Sequence, residues 1–217
     1  MAKTSVQCDF DGTITVDDVS FLLLDEFASG DWRQIWKEYA EGRISVGAFN
    51  TRAFALVKAD KKTLLDFMFQ SGKVQIRPGF RELLDFCSRK GFHFIIVSNG
   101  LDFYIDAILA GIGLNSIEFF AARSEFSPAG MKVRYIGPDG TSMEAGFKEA
   151  HTRLLKSKGY KVVYIGNGVS DIYPARQADY VFATGDLLGR CRQEKLSCTP
   201  FNDLNDVVRG LEALEIN

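Results

Sequence analysis

The sequence predicts an α/β protein, with a parallel sheet covered by helices on both faces and a block of helices inserted directly after the first strand. Three observations carry this. From Lys73 onward, short apolar runs alternate with amphipathic segments, the pattern of strands joined by crossover helices. Before that point only Ser5–Cys8 reads as a strand, and everything between Ile14 and Gly72 has helical spacing. Finally, three polar outcrops, Asp9–Thr13, Ser98–Gly100 and Gly166–Asp171, each directly follow a predicted strand. In a parallel sheet such outcrops converge on the carboxyl edge, where ligands bind.

Taken in order, the first strand ends in Asp9-Phe10-Asp11-Gly12-Thr13, where Gly12 lets the backbone turn. Four helical segments follow: Val19, Leu22, Leu23 and Phe27; Trp32, Ile35, Trp36 and Tyr39; Phe49, Ala53 and Val57; Leu64, Leu65, Met68 and Phe69. Trp32 and Trp36 are expected inside this helical block. Pro78 opens a helix over Phe80–Lys90 that Gly91 ends, and Phe92–Val97 reads as a strand buried on both faces. A helix from Asp102 leads to a strand over Ile117–Ala121. Turns at Pro128-Ala129-Gly130 and Gly137-Pro138-Asp139-Gly140 bracket Met131–Ile136 as a hairpin or surface excursion. A helix over Gly146–Lys158, a strand over Lys161–Ile165, a short helix from Ser170, a strand over Tyr180–Ala183 and two closing helices complete the chain.

The 217 residues suffice for one domain or a domain with an insertion, and 46% hydrophobic with 25% charged residues is ordinary globular composition. A net charge of −2 without any Lys/Arg run argues against nucleic acid or an anionic membrane as partner. No apolar run approaches a spanning helix, and polar Asp9 comes too early for a secretory leader. Cys8, Cys87, Cys191 and Cys198 show no zinc or CxxC spacing, so a reducing, cytoplasmic setting is expected.

Asp9 and Asp11 at a strand end can hold a divalent cation, and they can divide into a nucleophile and a proton carrier. The Ser98 hydroxyl, with the amides of Asn99 and Gly100, can donate to phosphate oxygens. Lys148 opens a helix at the end whose dipole favours anions, a placement that suits a phosphate partner and equally a solvated surface lysine. Asn167 and Asp171 offer loop oxygens to Mg²⁺, although GNG alone is a common turn. His93 lies within a buried run and His151 has no evident partner, so neither is expected in catalysis. Phe103 and Tyr104 follow the Ser98 loop and could line a pocket or pack the core.

In this order and spacing, DFDGT, the serine after a strand, the lysine, and a strand followed by G-x-G-x-x-D resemble the haloacid dehalogenase-like (HAD) phosphatases, in particular the phosphoserine-phosphatase-like branch. CDFDGTIT, RPGFRELLDF, VSNGLDFYI, ADYVFATGDLLGRCRQEKL and TPFNDL are similar to the 2-hydroxy-3-keto-5-methylthiopentenyl-1-phosphate phosphatases of methionine salvage. The resemblance implies a Rossmann-like core over residues 1–14 and 76–217, a helical cap over 15–75, and a small phosphorylated metabolite as substrate. It implies Asp9 as nucleophile forming an aspartyl-phosphate and Asp11 as acid/base. Thr13, Ser98, Asn99 and Lys148 would contact phosphate, and Asp9, the Asp11 carbonyl, Asn167 and Asp171 would hold Mg²⁺. Asp18 and Arg52 stand roughly where phosphoserine phosphatases recognise the amino and carboxylate groups of their substrate. The family usually has Asp at the position of Asn167, so Asp171 is expected to carry more of the metal binding here. The alternatives are a phosphoserine phosphatase, a weakly active or non-catalytic phosphate-ester binder, and a dehalogenase, which Asp11 and Asp171 disfavour.

Overall fold

The computed structural model describes residues 3–214. Strand β1 (Lys3–Cys8) is followed by helices α1 (Val19–Phe27), α2 (Trp32–Ala40), α3 (Val46–Phe54) and α4 (Lys61–Gln70). Each of these helices starts on a short polar side chain, Asp18, Asp31, Ser45 or Asp60, that accepts a first-turn amide. Local chemistry therefore sets where each of these helices starts. The segments leading into and out of the four helices run side by side: the Val16 amide donates to the Gln75 carbonyl and the Arg77 amide to the Ile14 carbonyl.

The chain then alternates α5 (Phe80–Lys90), β2 (His93–Leu101), α6 (Asp102–Gly111), β3 (Phe119–Glu125), β4 (Lys132–Ile136), β5 (Ser142–Met143), α7 (Phe147–Ser157) and β6 (Tyr160–Gly166). A 3₁₀ turn over Val169–Asp171 leads into α8 (Ile172–Ala175), β7 (Tyr180–Ala183), α9 (Gly185–Glu194), β8 (Thr199–Pro200) and α10 (Leu204–Ala213). One eight-stranded sheet has the order β5-β4-β3-β2-β1-β6-β7-β8, parallel except for the β3-β4-β5 hairpins. Its core strands are buried on both faces, as their β-branched runs require. No helix among the described residues is long and apolar enough to cross a membrane.

The segment after Gly130 takes the hairpin form, extending the main sheet as an antiparallel edge and carrying α3, with the Gly47 amide on the Glu144 carbonyl. Two details differ from the sequence reading. Strand β2 continues through Ser98–Leu101, because parallel pairing with β3 resumes after a register shift between Val97 and Leu101. Trp32 is buried, but Trp36 is exposed and lines the cavity described below.

Candidate active site

Strand β1 lies between β2 and β6, and the chain leaves it in both directions along the sheet. This is the switch in strand order at which a crevice opens over the carboxyl edge. A cavity of about 220 Å³ occupies it. Its floor comes from three strand ends, with Asp9 and Asp11 after β1, Ser98–Gly100 in β2, and Asn167–Ser170 after β6. Lys148 enters from α7, and Phe21, Trp36, Tyr39, Val46, Phe49 and Asn50 form the wall from α1–α3.

The charged centre is nearly closed to water, with Asp9 at 5%, Lys148 at 2% and Asp171 at 0% exposure. The Lys148 ammonium lies 2.7 Å from Asp9 Oδ1 and 2.6 Å from Asp171 Oδ1. Its helix is anchored to β1 by Gln7, whose amide donates to the Lys148 carbonyl at 3.0 Å and accepts from the Thr152 hydroxyl at 2.9 Å. Burial opposes the ammonium charge, but the two carboxylates outweigh it and hold the Lys148 pKa above its ordinary value. Asp171 also accepts from the Tyr164 hydroxyl at 2.5 Å and from the amides of Asn167 and Gly168 at 2.9 and 2.8 Å. Against the cost of burial, Lys148 keeps its carboxyl below the usual range.

That arrangement corrects the expectation for Asp171. Both of its oxygens are taken by four protein donors, so it orients Lys148 and the Asn167 loop rather than offering a free edge to a cation. Thr13 is likewise turned inward: fully buried, it donates to Asn167 Oδ1 at 2.8 Å and does not line the cavity. Arg52 is not brought to the cavity at all. Val46, Phe49 and Asn50 form the inward stripe of α3, and Arg52 falls about a third of a turn away from it. Half-exposed, it pairs with Glu38 at 2.6 Å. Asp18 does reach the cavity edge while capping α1.

Asp11 is held by three elements. Its Oδ1 accepts the Val19 amide at 3.1 Å, and its Oδ2 accepts the Tyr104 hydroxyl at 2.6 Å and the Ser98 hydroxyl at 3.4 Å. Ser98 also takes the Gly100 amide at 2.9 Å. The Asn99 carbonyl accepts from Asn50 at 2.8 Å and Tyr135 at 2.6 Å, and its side chain donates to Ser170 at 3.1 Å. Burial, then the neighbouring Asp171, pushes Asp9 up to about 8. Burial and Asp18 push Asp11 up to about 7, and burial pushes Asp18 up to about 6.

These pKa shifts bear on whether Mg²⁺ fits. Asp9, Asp11, Asp18 and Asp186 line the cavity against one ammonium that is already paired, so the site carries a deficit of positive charge. The available donors are all oxygens, which suits a hard cation that keeps several waters. No group of three His, Cys, Asp or Glu side chains gathers among the described residues. Asn167 Oδ1 accepts the Thr13 hydroxyl and keeps a lone pair, so it could join Asp9 and the Asp11 carbonyl as a third oxygen toward such a cation.

Sequence reading missed several supporting residues. Arg77 donates to the Gly12 and Thr13 carbonyls at 2.7 and 2.8 Å and clamps the first loop. Gln7 was visible as a polar residue inside an apolar strand, the one signal that could have singled it out. His93 bridges Ser5 and Glu118 at 3.0 and 2.9 Å, away from the cavity. His151 packs between Phe120 and Phe147, where burial pushes its pKa down to about 4.

The haloacid dehalogenase-like hydrolase family model matches residues 6–176. The chain is 33% identical over 214 residues to the 2-hydroxy-3-keto-5-methylthiopentenyl-1-phosphate phosphatase of Geobacillus thermodenitrificans, covering 96% of each. It is 34% identical over 218 residues to the enzyme of the same name from Exiguobacterium sibiricum, covering 97% of each. Among solved structures it is similar to a phospho-aspartyl intermediate analogue of phosphoserine phosphatase, with a TM-score of 0.71 and 20% identity. That match covers 97% of this chain and 99% of the other, a likeness of fold.

Proposed function

The chain belongs to the haloacid dehalogenase-like hydrolase family, and from that premise we propose that it is a Mg²⁺-dependent phosphomonoesterase working through an aspartyl-phosphate on Asp9. The observation that carries the reading is the meeting of Asp9, Asp11, Ser98 and Lys148, from separate strand ends and a helix, in one cavity. Residues 15–75 act as its cap, contributing the aromatic wall and excluding water.

In the proposed reaction an Asp9 oxygen attacks phosphorus and the ester oxygen departs with a proton from Asp11, giving the free alcohol. Asp11, now ionised, takes a proton from water as that water attacks phosphorus, which releases phosphate and regenerates Asp9. Lys148 neutralises Asp9 and the phosphoryl oxygens, and the Ser98 hydroxyl donates to them. Asp9, the Asp11 carbonyl and Asn167 would hold Mg²⁺, which when bound supplies the positive charge that lets phosphate approach a carboxylate.

For the substrate, the wall supports an uncharged, partly apolar leaving group. Lys148 is the only cationic side chain among the described cavity-lining residues, and Arg52 lies outside. The carboxylate of phosphoserine would therefore meet no cation, whereas a methylthio chain would meet Phe21, Trp36 and Phe49. We infer 2-hydroxy-3-keto-5-methylthiopentenyl-1-phosphate, the substrate in the relatives' names, and a cytoplasmic role in methionine salvage. The test is phosphate release with and without Mg²⁺ by the native chain and by Asp9→Asn, from an aryl phosphate, the methylthio ester and phosphoserine. Mg²⁺-dependent turnover abolished by Asp9→Asn supports the mechanism, and preference for phosphoserine would overturn the substrate assignment. Mg²⁺-independent turnover, or turnover that survives Asp9→Asn, would overturn the mechanism.

A further inference from the structure

We propose that Tyr104, backed by Ser20, is the positioning residue that holds Asp11 in its proton-transferring geometry. The inference rests on the reading of Asp11 as acid/base. Tyr104 lies in the first turn of α6 and is completely buried, and its hydroxyl donates to Asp11 Oδ2 at 2.6 Å. The Ser20 hydroxyl on α1 lies 2.8 Å from the same phenolic oxygen. A tyrosine has one proton to give. With that proton on Asp11, Ser20 is the donor to Tyr104, and the chain of bonds runs in one direction from the inserted helices into the carboxylate.

The ring needs no hydroxyl for packing. It sits against Phe10 and Phe103, at centroid separations of 6.5 and 5.4 Å, among residues that would accommodate phenylalanine equally well. What the hydroxyl adds is a fixed plane for a carboxyl group that would otherwise rotate. Oδ2 is held by the Tyr104 hydroxyl at 2.6 Å, whereas Oδ1 accepts only the longer 3.1 Å bond from the Val19 amide and keeps a lone pair to carry the transferable proton. The backbone is shaped around this contact. A Cβ on Gly100 would lie 2.0 Å from the Tyr104 hydroxyl and 2.2 Å from Asp11 Oδ2, so only glycine lets β2 pass. Orientation of this kind decides proton transfer, which needs hydrogen-bond reach to the leaving oxygen.

The experiment compares kcat/KM for phosphate monoesters whose leaving groups run from nitrophenol through phenol to a simple alcohol, using the Mg²⁺-loaded native chain, Tyr104→Phe, Ser20→Ala and Asp11→Asn. A nitrophenolate leaves without a proton, whereas an alkoxide does not. Tyr104→Phe should lower the alkyl-to-nitrophenyl ratio by about tenfold, a part of the roughly 10²–10⁴-fold that general acid catalysis contributes. Ser20→Ala should shift it the same way by a smaller factor. The ratio is taken within one preparation, so a reduced folded fraction lowers both rates and leaves it unmoved. If Asp11→Asn lowers the ratio and Tyr104→Phe does not, the positioning role is overturned and Tyr104 is merely structural. If Asp11→Asn leaves the ratio at the native value, the acid/base reading fails and takes this inference with it.

Discussion

Replacing Lys148 by methionine keeps most of the side-chain volume and removes the ammonium that lies 2.7 Å from Asp9 and 2.6 Å from Asp171. Asp171, ionised at neutral pH, cannot turn to water because it is fully buried. Breaking a buried ion pair by deleting one partner costs about 3–5 kcal/mol. Asp171 retains the Tyr164 hydroxyl and two amides, which places the expected loss near the lower end, about 3 kcal/mol. In a chain of this size each kcal/mol moves Tm by roughly 2–4 °C, so Tm should fall by about 6–12 °C at neutral pH. The loss should also depend on pH. Native Asp171 is held below its ordinary value, so its contribution is present above the unfolded value of 3.8 and disappears as pH falls through the folded value. Without Lys148 its pKa rises, and the penalty is largest near neutrality and shrinks toward pH 4. Thermal melts followed by circular dichroism from pH 4 to 8, in chelator, measure this. A Tm loss below about 2 °C at neutral pH, or one independent of pH, would refute the account of a structural ion-pair core.

Three further outcomes follow from the same geometry. Asp9 and Asp11 are raised from 3.8 to about 8 and about 7, so the metal-free chain is stabilised by their protonated forms below the unfolded value and loses that contribution as pH rises through 7–8. Mg²⁺ binding at pH 7 should then release protons, read by calorimetry in buffers of different ionisation enthalpy; zero release would contradict the raised values. Asn167→Asp adds a carboxylate to the oxygen set and should tighten Mg²⁺ by about tenfold or more while lowering the metal-free Tm, both measurable by calorimetric titration and melting. Gly12→Ala places a Cβ 2.3 Å from Asn167 Nδ2 at a φ of +69°, and should cost about 1–2 kcal/mol in urea unfolding together with weaker Mg²⁺ binding.

Much of the architecture was legible in the chain because it is local. Helical spacing, with apolar residues three and four apart, marks the four helices between Ile14 and Gly72. Continuous apolar runs mark the core strands, and each site outcrop sits where such a run stops. The arrival of Asp9, Asp11, Ser98 and Lys148 at one cavity was readable for the same reason, since a strand end or helix start determines where a polar residue there faces.

The partner of each site residue was decided only by the fold. Arg52 looked like a ligand until the rotation of α3 carried it out of the cavity to Glu38. Asp171 looked like a metal ligand until Lys148, 23 positions away, and Tyr164 filled its oxygens. Gln7 holds a helix 141 positions on, and Tyr104 reaches Asp11 across 93. By itself the sequence determined which side chains arrive at the carboxyl edge of the sheet, because strand and helix periods repeat over a few residues. Which oxygens remain free there was settled by packing between distant segments, whose hydrogen bonds leave no periodic trace along the chain.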